Sequence, residues 1–194
     1  MRVPAAPTGQ FVGAVAEVDR RGPDRRSLMV NPSAVRKWTL AVTAGDRGEL
    51  DSLWAEFTPI LEQLAEEWLS KSLQRAELDQ VADSSPVKSL HLQLKNGELR
   101  FRGSDELWRL VAAVALSRLP DSEIESSMKF ASQMVQVIRP LLDELADADL
   151  ESAALLKLTG STNDEIARHM SCTRRTVQRL LKLIRDICES QIKP

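Results

Sequence analysis

The sequence has little of what most catalytic sites are built from. Only two histidines occur in 194 residues, His91 and His169, and they lie in different parts of the chain. No paired acid/base motif, glycine-rich phosphate loop or nucleophile elbow accompanies them, which argues against an enzyme. The two cysteines, Cys172 and Cys188, are too few for a disulfide framework, and neither sits in a CxxC or Cys/His metal spacing. Both are expected to be reduced and structural, and no cofactor or metal is expected. No apolar run approaches the roughly 20 residues needed to span a bilayer. Pro4, Pro7 and Gly9 interrupt the stretch where a signal peptide would carry its apolar segment. A cytoplasmic protein without membrane contact is therefore expected. No internal repeat is visible.

What is present suits one helical domain or two small ones. A hydrophobic fraction of 43% can fill a core, and 28% charged residues is ordinary for a soluble chain. The net charge of −2 argues against a generic nucleic-acid coat, but its distribution is uneven. Residues 1–47 hold eight basic and four acidic side chains, residues 48–149 ten and nineteen, and residues 150–194 eight and five. An acidic middle between basic ends fits a protein that touches DNA with one part and another macromolecule with a different part. It fits a helical protein with no such division almost as well.

Residues 1–31 are rich in Arg, Pro and Gly and are expected to form a flexible extension, with a short strand at Phe11 to Val18. Met29 offers an alternative start. Pro32 and Ser33 open a short helix that Gly45 closes, and Asp46 begins a long one. There Leu50, Leu53, Trp54, Phe57, Leu61, Leu64 and Trp68 keep helical spacing, with both tryptophans expected in the core. Pro59 is expected to kink or interrupt this helix. The segment Pro86 to Phe101 reads two ways. Asn96-Gly97 between alternating leucines signals a hairpin, whereas Pro86 after two serines suits a helix start. Asp105 to Arg118 is amphipathic, with Leu107, Leu110, Val111 and Val114 inward. A further pattern runs through Ala131, Met134, Val135 and Ile138, meets Pro140 and resumes at Leu141, Leu142 and Leu145. Asp147 to Gly160 is the helix expected to support the C-terminal helix pair.

That pair, Gly160 to Arg185, is the most informative stretch of the chain. Thr162 and Glu165 form a capping box ahead of Ile166, Ala167 and Met170. After a break at Ser171-Cys172, Thr173 caps a second helix with Val177, Leu180, Leu181 and Ile184 inward. Its other face carries Arg174, Arg175, Gln178, Arg179, Lys182 and Arg185. A helix-turn-helix lays the N-terminal side chains of its second helix against base edges in the major groove. Arg174, Arg175 and Gln178 occupy those positions, and the helix starts at Thr162 and Thr173 can direct backbone N–H groups toward phosphates. A basic face can also be only a solvated surface. Between Ile166 and Arg185 there are six basic residues and no acidic one, which favours DNA contact.

Along most of its length the chain resembles bacterial RNA polymerase sigma factors of the extracytoplasmic-function (ECF) group. The most specific match is ADLESAALLKLTGSTNDEIARHMSCTRRTVQRLLKLIRDI, which is similar to the family's promoter −35 reading domain. Its Gly before the capped helix, Glu165-Ile166-Ala167 and Thr176-Val177 carry the likeness. AVTAGDRGELDSLWAEFTPILEQLAEEWL is similar to the start of the family's other domain, and GSDELWRLVAAVALSRL around Trp108 to the helix facing the −10 element. The resemblance implies an all-α protein of two small helical domains, the C-terminal one a helix-turn-helix of the winged-helix-like sigma region 4 type. The implied divisions are an extension at 1–31, a region 2-like domain at 32–120, a linker helix at 121–146 and the DNA-binding domain at 147–194.

The implied partners are core RNA polymerase and double-stranded promoter DNA, with room for an anti-sigma or other regulatory protein. DNA contact falls to Thr162, Thr173, Arg174, Arg175, Gln178, Arg179 and Lys182. Polymerase contact falls to Asp79, where the family's polymerase-binding helix has an acidic start, and with it to Val81 and Leu90. The resemblance also favours helix over hairpin for 86–96. Three departures stand against it. Pro86 interrupts the polymerase-binding helix, an acidic LPDSEIESS replaces a basic segment beyond Arg118, and Ser171 stands where glycine is usual. They leave open a second implied function: a helix-turn-helix regulator or degenerate sigma relative that binds DNA without directing initiation.

Overall fold

The computed structural model describes residues 30–78, 90, 92, 105–119 and 127–192. Seven helices and no strand are defined among these residues: α1 (Pro32–Ala44), α2 (Arg47–Leu78), α3 (Asp105–Arg118), α4 (Ser127–Leu145), α5 (Ala148–Leu158), α6 (Asn163–His169) and α7 (Arg174–Gln191). The all-α class anticipated from the sequence is the one observed. The N-terminal extension, Asp79 and Val81 lie outside the described residues. Of the hairpin-or-helix segment only Leu90 and Leu92 are described, and both are helical.

Local chemistry sets the ends of α1. The Asn31 side chain accepts from the Ser33 amide at 2.9 Å, and Pro32 occupies the first turn, where its missing N–H costs no helical bond. Gly45 ends the helix at φ 67°, and the amide after it returns to the Ala41 carbonyl at 3.0 Å.

Neither internal proline stops its helix. The 32-residue α2 continues through Pro59 and the 19-residue α4 through Pro140, so the expected interruption at Pro59 does not occur. The reason is where each proline points. Pro59 and Pro140 are exposed, as are Ala55 and Gln136, the residues four positions earlier whose carbonyls lose a partner. Those carbonyls face the solvent side of helices whose opposite stripes are held in the core. On α2 that stripe is Leu53, Phe57, Leu61, Ala65, Trp68 and Leu69, all buried; Trp54 beside it is half-buried. On α4 it is Phe130, Met134, Ile138, Leu141 and Leu145.

The helices pack around one core that runs from Val30 to Cys188. α2 lies along α4, α1 packs on α2 and α5, and α3 touches α4, α5 and α7. The core does not break between residues 146 and 147. The buried Trp38 indole donates to Glu151 at 3.1 Å, and Thr39 shares a 2.6 Å hydroxyl–hydroxyl bond with Ser152. Both bonds join α1 to α5. A third, from the Trp108 indole to the Leu158 carbonyl at 3.0 Å, joins α3 to the end of α5. Near this seam the Arg139 guanidinium lies 5.5 Å from the Trp38 ring and 5.4 Å from the Trp54 ring, and pairs with Asp51 at 3.1 Å. An arginine held over two indoles both fills space and keeps its charge in a favourable field.

Candidate nucleic-acid interface

The α6–α7 pair is built from its caps. The Thr162 amide and hydroxyl both donate to the Glu165 carboxylate at 2.8 Å, and the Glu165 amide returns a 3.3 Å bond to the Thr162 hydroxyl. These bonds, the backbone one foremost, hold the Glu165 carboxyl below its ordinary range. Thr173 repeats the device for α7, accepting from the Thr176 amide at 3.2 Å. Upstream, Gly160 adopts φ 90°, which lets Ser161 close back on the Leu156 carbonyl at 3.0 Å and turns the chain into α6.

Ser171 makes the turn between the helices at φ 52°. This is the left-handed conformation a glycine adopts freely and a serine adopts at a cost. Cys172, next in the turn, is a half-buried free thiol. Cys188 sits deeper, under the C-terminal half of α7, where burial pushes its thiol up to about 11.

α7 divides cleanly into two faces. Val177, Ile184 and Cys188 are buried, with Leu180 and Leu181 packed at their margin. Arg174, Arg175, Gln178, Arg179 and Lys182 are all exposed. Thr162 and Thr173 are exposed too. Arg174 stands 3.5 Å from Asp164 across the two helices, well exposed to solvent, where such a pair contributes little to stability. Arg175, Arg179 and Lys182 make no ion pair among the described residues. Five polar side chains on one helical face, four of them cationic, are chemically suited to phosphates and base edges.

Residues 121–194 match the family model of ECF sigma factors. The likeness to ECF sigma factors therefore covers the C-terminal part of the chain. The match spans α4 to α7, and so includes the helix before the pair as well as the pair itself. No curated protein and no solved structure matches the chain. Among the described residues, no helix is long and apolar enough to cross a membrane.

Of the residues linked to polymerase by resemblance only Leu90 is described, and it does not lie on this face. Leu90 is 1% exposed, so its side chain fills the core rather than meeting a partner in this conformation. Trp108, on the helix likened to the −10 reader, is turned inward in the same way.

A groove of about 320 Å³ runs beside α7, with Gln178 and Lys182 on one wall and Glu106 and Leu110 of α3 on the other. Sequence reasoning missed this neighbour. Glu106 pairs with Arg185 at 2.7 Å, joining the acidic start of α3 to the basic face of α7. At the groove's end Lys157 donates to Asn163 at 3.0 Å; desolvation lowers its ammonium pKa, and Glu106 opposes that shift. Nothing local in the sequence marks Glu106 as a partner of Arg185, because the contact depends on how α3 crosses α7.

Proposed function

We propose that this chain directs RNA polymerase to promoters during transcription initiation, with α7 reading the −35 duplex. In this reading residues 32–120 face core polymerase and the −10 element, 121–146 link, and 147–194 bind duplex DNA. The single observation that carries it is the open face of α7: Arg174, Arg175, Gln178, Arg179 and Lys182 all exposed on one side of a capped helix, within a stretch that matches ECF sigma factors. Arginines and Lys182 neutralise phosphates, giving affinity that falls with salt. Arg174 or Arg175 presents two donors to a guanine edge, and Gln178 pairs with adenine, each worth about 1–3 kcal/mol of discrimination. Thr162 and Thr173 orient the helix starts toward the backbone.

One observation favours a second reading. The indole of Trp108 bonds to the Leu158 carbonyl, and α3 packs on α5 and α7, which leaves the helix likened to the −10 reader occupied by the DNA-binding half. A chain that kept this packing on DNA would bind promoters without melting them. Co-purification with core polymerase followed by run-off transcription separates the two. A sigma factor yields polymerase-dependent transcripts from defined starts; a regulator binds the same DNA and yields none.

A further inference from the structure

The cations that surround the α6–α7 pair divide into those already neutralised and those that are not. Arg185 is tied to Glu106 and Arg174 to Asp164. Arg36, on α1, is exposed and makes no ion pair among the described residues. It is 135 positions before Ser171 in the chain, yet both line the same groove of about 280 Å³, together with Thr39, Asp149, Ser152 and His169.

This placement is fixed. Trp38, rotated roughly half a turn from Arg36 around α1, is 1% exposed and bonded to Glu151. Thr39, which shares the Arg36 face at i+3, is bonded to Ser152 on the groove floor. α1 therefore cannot rotate Arg36 away without breaking both bonds. No acidic residue occurs between Pro32 and Ala44, so the charges on α1 are all basic, with Lys37 exposed beside Arg36. Asp149 is the one carboxylate in the groove. It lies on the α5 wall and forms no ion pair with Arg36.

Ser171 lies two residues ahead of the Thr173 cap. When the start of α7 enters a major groove, the turn before it stands over the adjoining sugar-phosphate strand. We infer that Arg36 contacts a phosphate of that strand, so that α1, far away in sequence, is part of the DNA-binding surface. The contact rests on the reading of α7 as the duplex-binding helix and extends it. Its ligand is the backbone of duplex DNA, and it carries no base preference.

The test uses the full-length chain and a duplex selected by it from a randomised library, alongside a scrambled duplex of equal length. Binding is measured by fluorescence anisotropy across a salt series for wild type, Arg36→Ala, Arg36→Lys and Arg175→Ala. Arg36→Ala is expected to weaken both duplexes by about three- to tenfold and to reduce the slope of log affinity against log salt by roughly 0.9. Arg36→Lys keeps the slope. Arg175→Ala weakens the selected duplex more than the scrambled one. If Arg175→Ala has that effect while Arg36→Ala leaves affinity and slope unchanged, the α1 contact is wrong and the α7 reading survives. If neither substitution matters, both fall. Because Arg36 is exposed, its substitution leaves thermal stability unchanged, and a lowered melting temperature would reassign it to the packing of α1.

Discussion

Trp38 and Glu151, 113 residues apart, meet in the core through a 3.1 Å bond from indole nitrogen to carboxylate oxygen. The bond fastens the first described helix to the helix that precedes the α6–α7 pair. Its chemistry has a consequence. Glu151 is 5% exposed, and burial raises its carboxyl pKa above the ordinary 4.5; the Trp38 bond only partly opposes that shift.

A raised folded-state pKa means that the folded chain holds this proton more tightly than the unfolded chain does. The stabilisation is fully present below pH 4.5 and is lost as pH rises through the folded value. Glu151→Gln keeps an acceptor for Trp38 and removes the charge. Its melting temperature should therefore gain on wild type as pH rises from about 4 to 7. Glu151→Ala instead strands the indole N–H and should cost about 1–3 kcal/mol in urea denaturation. A Gln variant less stable than wild type at neutral pH, by as much as the Ala variant, would contradict the assignment of the charge as the costly part.

Glu106 and Arg185 should report on DNA binding rather than on stability. Their 2.7 Å pair is part-exposed and places a carboxylate beside Gln178 and Lys182. Phosphates approaching that face meet its negative charge. Glu106→Gln is expected to tighten duplex binding by about 2–5-fold at low salt, with the gain shrinking as salt rises. Weaker binding by the variant in the same anisotropy assay would mean that Glu106 organises the face instead of competing for it.

The turn at Ser171 stores strain that glycine removes. At φ 52° its Cβ crowds the backbone, and Ser171→Gly should raise stability by about 0.5–1 kcal/mol despite the extra freedom of the unfolded chain. Ala146, at φ 49° between α4 and α5, gives an independent comparison, and Ala146→Gly should behave alike. A drop in the urea midpoint for both would rule out the left-handed geometry.

Much of this was legible in the sequence because it is local. The Thr162–Glu165 box, the Val177–Ile184 stripe and the Gly45 stop are set by neighbours within a few residues, and the chain adopts them as spaced. Pro59 does not interrupt its helix because a rule about backbone bonds says nothing of direction: it faces water, as does Pro140, where the helical pattern resumes as spaced and the orphaned carbonyls cost little. Leu90, Trp108 and Glu106 were unreadable for another reason. Whether an apolar residue on an amphipathic helix meets its own core or a partner depends on which helices cross it, and no spacing encodes that. The same holds for Arg36, whose place beside Ser171 exists only once α1 has docked on α5.

Selection of duplexes from a randomised library by the purified full-length chain, followed by sequencing, tests the central claim most directly. One enriched motif is expected with wild type, and Arg175→Ala should weaken binding to it by more than tenfold. Enrichment of no motif, or an identical motif bound equally well by the variant, would mean that the outward cations of α7 are a hydrated surface and not a reader of DNA.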